Sequence, residues 1–194
     1  MTQPEEILAY WFGSTDDPQD KSEIWWKKNP DVDAEIKDRF GTALEASARG
    51  ELDHWRSDKT GRLAHIILVD QMSRNMHRDS PLMYAQDDLA QELSLLCAIS
   101  DDYYGNYHMR MFQHMPLMHA ENVAMQRLCE HLFAREMELA EGEDKARAAN
   151  NHDYAVQHRV IVERFGRFPH RNDILGREST PEEVAFLKEP GSSF

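Results

Sequence analysis

Thr60-Gly61-Arg62-Leu63-Ala64-His65-Ile66-Ile67-Leu68-Val69-Asp70-Gln71-Met72-Ser73-Arg74-Asn75-Met76 is the stretch on which the reading of the fold turns. Leu63, Ile66 and Ile67 recur at i, i+3 and i+4, the mark of one apolar helical face. Extended by further turns, that face meets Asp70, Gln71 and Arg74. A helix that keeps its period therefore points an acid, an amide and a guanidinium inward. Buried groups of this kind need partners, because leaving them unpaired costs several kcal/mol on the order given for desolvated polar groups. Two readings follow: Asp70 and Arg74 pair at i, i+4 as a structural tie, or the residues line a cavity that takes a ligand.

Working outward, nearly every long segment shows helical period, and clear two-residue alternation is missing. Pro4 to Phe12 reads as a short helix, ended by Gly13 and the turn-rich Ser14-Thr15-Asp16-Asp17-Pro18. Asp31 is placed to cap a helix through Val32, Ile36, Phe40 and Leu44, closed by Gly50. Asp87 or Asp88 starts another through Leu89, Leu93 and Leu96. Pro116 is read as breaking the segment before it, and Ala120 to Ala140 as a long amphipathic helix. A helix from about Lys145 to Phe165 follows the polar Glu141-Gly142-Glu143-Asp144. Thr180-Pro181-Glu182-Glu183 then has the form of a capping box. The expectation is all-α: one domain over residues 1–194, a bundle or superhelix of seven or eight helices.

The 194 residues carry 35 acidic and 22 Lys or Arg side chains, a formal net charge of −13. That balance argues against nucleic-acid binding, which needs a basic face. No apolar run approaches a membrane span, and the N-terminal residues lack the pattern of a signal peptide. Cys97 and Cys129 sit in helix-like apolar surroundings without metal-ligand spacing, so buried free thiols and a cytoplasmic location are expected. The methionines concentrated between Met109 and Met125 read as filling between helices. Trp11-Phe12 and Trp25-Trp26 read as aromatic anchors.

Against this acidic background, Arg164-Phe165-Gly166-Arg167-Phe168-Pro169-His170-Arg171-Asn172-Asp173 gathers cations at a glycine–proline bend. From Arg159 to Arg177 five arginines face Glu163 and Asp173, a local charge of +3. Planar multi-donor guanidinium groups suit carboxylate or phosphate, and they equally suit ion pairs that hold helices together. His158 falls on the stripe Tyr154, His158, Ile161, Val162, Phe165, as a hydrogen-bonded core histidine or as an acid–base group. Met115-Pro116-Leu117-Met118-His119-Ala120-Glu121 offers a histidine and a carboxylate at the start of the long helix. There Glu121 would complement the helix dipole, or join His119 in acid–base work. His-x-Glu without a third ligand is a weak metal pattern, and neither a metal nor a cofactor is expected.

These motifs, with Tyr10-Trp11-Phe12-Gly13, Trp25-Trp26 and Gly61-Arg62-Leu63-Ala64, resemble the bacterial domain-of-unknown-function family 924 over nearly the whole chain. The resemblance implies an all-helical fold related to tetratricopeptide-repeat superhelices and brings no established activity. Two departures stand out. Members have Asp-Gln-Phe-Pro-Arg-Asn where this chain has Asp70-Gln71-Met72-Ser73-Arg74-Asn75. They also tend to carry serine before the glutamate, where this chain has Ala120-Glu121. No 34-residue repeat is visible; the nearest internal echo is Arg74-Asn75 against Arg171-Asn172.

The candidate acid–base residues are thus Asp70, His119, Glu121 and His158. Gln71, Arg74, Asn75, Arg164, Arg167, His170, Arg171 and Asn172 are the candidate ligand contacts. One function they would serve is binding, with or without transformation, of a small anionic molecule. The other is a tetratricopeptide-like module that binds a protein or peptide, the same residues forming a structural network.

Overall fold

The computed structural model describes residues 2–14, 18–100 and 102–193; Thr15, Asp16 and Asp17 of the expected first turn lie outside the described residues. The protein is all-α, and no strand occurs among the described residues. Its helices are α1 (Pro4–Phe12), α2 (Ser22–Trp25), α3 (Pro30–Ala48), α4 (Lys59–Ile66), α5 (Ser73–Met76), α6 (Asp87–Ser100), α7 (Tyr107–Met118), α8 (Val123–Leu139), α9 (Asp144–Phe165) and α10 (Pro181–Phe186). A π-helical stretch, Ile67–Met72, joins α4 to α5. The chain divides into two compact units, one of residues 1–78 and 82–117, the other of residues 79–81 and 118–194.

In the first unit the segment 59–76 is the buried centre. Every residue from Gly61 to Ser73 is buried, so no polar face remains along that stretch. Asp58 caps the segment by accepting from Gly61 N at 2.9 Å. Gly61 is required by close approach: a Cβ there would stand 2.2 Å from the Trp55 carbonyl oxygen. The π turn corrects the simple 3.6 period. It widens the helix at Asp70 and Gln71, a distortion that helices often carry at functional positions. Around it Trp11, Phe12 and Trp25 pack edge-on to Phe112, while Trp26 is 53% exposed and stacks on the same ring. Met109, Met111 and Met115 are buried.

Several boundaries differ from the sequence reading, each for a local reason. Asn29, not Asp31, caps α3; its side chain accepts from Asp31 N at 3.0 Å, and Pro30 takes the first helical position. Pro116 lies inside α7 and does not break it, two residues before the helix ends. The long helix opens at Val123 with Asn122 as its cap. Glu121 therefore precedes the first turn, and its carboxylate serves something other than the helix dipole.

In the second unit α8 packs along α9. Gly166, at φ +71, ends α9 in the left-handed conformation that glycine adopts without cost. Beyond it Phe168 is fully buried and packs with Ile161, Val162 and Phe186. Thr180 and Glu183 form the expected capping box on α10. Both cysteines are free and buried.

Candidate functional site

The first unit holds Asp70, Gln71, Arg74 and Asn75. Asp70 is 1% exposed. Gln71 Nε2 donates to Asp70 Oδ2 at 2.6 Å and to Met115 Sδ at 3.2 Å. Arg74 Nη1 donates to the Asp70 backbone carbonyl and lies 3.2 Å from Asp70 Oδ1, while Nη2 reaches Asp87 at 3.0 Å. Tyr84 presents its ring face to the same guanidinium. Burial opposes the Arg74 charge, and the two carboxylates outweigh it, so its pKa is raised further. Asn75 turns to a different cluster, donating at 2.8 Å to Asp33, which also takes a fork from Arg78. Asp87, which completes the Arg74 pairing, carries no sequence signal beyond its place at a helix start.

The second unit gathers the remaining candidates around the bend. Phe168 is the hub. Its ring lies 5.6 Å from the rings of His158 and His170, and the Arg171 guanidinium stands 4.6 Å from its centroid. His158 Nδ1 donates to the Tyr154 carbonyl at 2.7 Å, since a carbonyl only accepts; in the neutral ring this leaves Nε2 unprotonated. Burial, with His119, Arg171 and His170 nearby, pushes His158 down to about 3. His170 is lowered to about 4 by burial and Arg171, against the opposing field of Glu121. His119 contributes to both shifts, which places three imidazoles and one guanidinium in a single electrostatic neighbourhood. Tyr154, at the end of the expected apolar stripe, is exposed.

A chain of polar contacts secures the bend. Glu121 accepts from Phe168 N at 2.8 Å and takes a two-point contact from Arg177 at 2.6 and 2.9 Å. Burial would raise the Glu121 carboxyl, but these hydrogen bonds and the charges of Arg177 and Arg171 hold it below its ordinary value. Arg177 Nε continues to Asn172 Oδ1, and Asn172 Nδ2 reaches Ser179 Oγ, both at 3.0 Å. Glu183 receives Arg167 Nε and Nη2 at 2.7 and 2.8 Å and the Thr180 N–H at 2.8 Å. Arg167 is the main reason that Glu183 is lowered to about 2. Arg164 pairs with Glu182 on the outer side and lies over the rings of Phe165 and Phe186. Sequence spacing marked Glu183 only as a cap and Arg177 only as a count of charge. Phe168 as the hub had no signal, because nothing in a linear motif says which ring the others surround.

Among the described residues no group of three or more His, Cys, Asp or Glu is arranged to hold a metal ion. No described helix is long and apolar enough to cross a membrane. A family model described as bacterial protein of unknown function (DUF924) matches residues 7–191. The chain belongs to the DUF924 family. It is also similar to a solved structure of a protein of unknown function from Agrobacterium tumefaciens. The two share 34% identity with a TM-score of 0.81, over 95% of this chain and 96% of that one. No curated protein matches it.

Proposed function

We propose that this DUF924 protein binds a small anionic molecule, a carboxylate or phosphate, at the His119–His158–His170–Arg171 cluster of the second unit. The observation that carries the reading is the grouping of Arg171, His158 and His170 around Phe168, with both imidazoles held neutral. An anion at this cluster meets a guanidinium held over an aromatic ring, a setting that suits arginine for oxyanions. Its negative charge would also raise the depressed pKa values of His158 and His170, favouring a proton on these rings at the ligand. Glu121 and Asn172 then serve as positioning residues: Glu121 fixes the Phe168 backbone, and Asn172 fixes Arg177.

A second reading is favoured by the ion pairs of Arg164, Arg167 and Arg177 with Glu182, Glu183 and Glu121. In it the segment is a structural network of a tetratricopeptide-like interaction module. In the first unit the two carboxylates on Arg74 favour the same structural role for Asp70, Gln71 and Arg74.

Thermal shift separates the two. Wild type, Arg171→Lys and Arg167→Lys are melted with and without inorganic phosphate, glycerol 3-phosphate and succinate, at matched ionic strength. Under the anion reading one of these ligands raises the wild-type Tm, Arg171→Lys abolishes the rise, and Arg167→Lys lowers the baseline Tm while keeping the rise. A wild type indifferent to every anion, with both variants lowered at baseline, refutes the anion site in favour of the network.

A further inference from the structure

Gln126, in the first two turns of α8, is fully buried. Its Nε2 donates to the carbonyls of Met118 and Ala120, each at 2.7 Å. Those two carbonyls bracket His119. Met118 ends α7, where a helix leaves carbonyls without intrahelical partners. Ala120 lies fully buried in the short connection before Asn122. The side-chain oxygen of Gln126, Oε1, is buried without a hydrogen-bond partner. As mere filling this glutamine is a poor choice, since methionine matches its volume and brings no buried acceptor to desolvate. What glutamine supplies here is the pair of donors.

We infer that Gln126 is a positioning residue for His119, an inference that rests on the anion site proposed above. With the Met118 and Ala120 carbonyls tied to one amide, the 118–120 backbone that carries His119 is pinned at both ends, which restrains the direction of its Cα–Cβ bond. His119 lies within electrostatic reach of both His158 and His170. A shift of the 118–121 connection therefore changes the field at the whole cluster, although Gln126 itself carries no charge.

The test compares wild type, Gln126→Met and Leu132→Ala, the last a buried position on the same helix that serves as a stability control. Histidine ring resonances are followed by NMR through a titration with inorganic phosphate, well below each Tm. Gln126→Met is expected to shift the His119 resonance and weaken phosphate by about tenfold, the worth of one hydrogen bond to an ionised group. Leu132→Ala should leave both within about twofold of wild type even where its Tm falls further. If Gln126→Met perturbs His119 and the affinity no more than Leu132→Ala does, the positioning role is refuted. Should wild type fail to bind phosphate, the anion reading fails by itself. The His119 resonance then decides, a shift confined to Gln126→Met supporting the role and its absence overturning it. Gln126→Asn, whose amide is one methylene too short to reach both carbonyls, replaces Gln126→Met if the methionine variant does not fold.

Discussion

Acidification from about pH 7 to about pH 5 at constant ionic strength separates the buried imidazoles from the carboxylates. His65, His158 and His170 titrate in the folded protein near 4, 3 and 4, against 6.5 for a free imidazole. Burial is the largest cause in each. At His65 Arg56 and His54 add to it and Asp53 opposes. At His158 the added groups are His119, Arg171 and His170, with the Tyr154 carbonyl opposing. At His170 they are Arg171, Arg177 and His119, with Glu121 opposing. Each ring stays neutral when folded and takes a proton on unfolding once the pH drops below 6.5. The unfolded chain thus binds more protons, and stability rises with pH. The contribution is complete above 6.5 and is lost as the pH falls toward 4 and then 3. At pH 5 the loss is about 2 kcal/mol per ring, or about 6 kcal/mol in all. A whole domain commonly has only about 5–15 kcal/mol. Asp33, Glu121 and Glu183 are lowered too, which for a carboxylate favours the charged form, so their contributions are lost only below their ordinary values of 3.8 and 4.5. Reduced self-repulsion works against the effect, because a chain of net charge −13 becomes less charged on acidification. The direction of the change is therefore diagnostic. Urea midpoints from circular dichroism at about pH 7, 6 and 5 give the slope, and His65→Gln and His158→Gln should each remove about a third of it. A wild-type midpoint that stays flat or rises toward pH 5, or variants that keep the full slope, would refute the reasoning.

Three further outcomes follow from particular contacts. Phe168→Ala should cost about 3–5 kcal/mol in urea unfolding and broaden the ring resonances of His158 and His170, since the hub is fully buried. Glu121→Gln removes the ionised acceptor from Arg177 and Phe168 N–H and should cost about 1–3 kcal/mol by the same measurement; no loss would show the contact to be incidental. Gly61→Ala forces a methyl against the Trp55 carbonyl and should lower stability by about 1–3 kcal/mol, checked by the thermal midpoint.

How much of this was legible in one dimension can be judged from individual residues. The helical period around Leu63, Ile66 and Ile67 foretold a buried segment holding Asp70 and Gln71, but neither the π turn at Ile67–Met72 nor the burial of every residue from Gly61 to Ser73. The capping box at Thr180 and Glu183 was readable because its geometry is local: two side chains answer two backbone N–H groups three residues away. Pro116 misled, since it removes only its own N–H bond and crowds only the Phe112 carbonyl, a local cost that α7 carries two residues before it ends, and spacing does not reveal where that end falls. Glu121 misled for a similar reason, because the helix begins only after Asn122.

By itself, then, the sequence determined the class of the fold, the local caps, the burial of both thiols and the concentration of cations at the bend. These are properties of neighbours along the chain, fixed by period, backbone freedom and charge. The tertiary structure decided which arginines are neutralised by which acids. It made Phe168 the ring around which His158, His170 and Arg171 collect, and it set Gln126 on the carbonyls that flank His119. Glu121 and Arg177 are 56 residues apart, and such pairings depend on packing between segments that no local rule of spacing encodes.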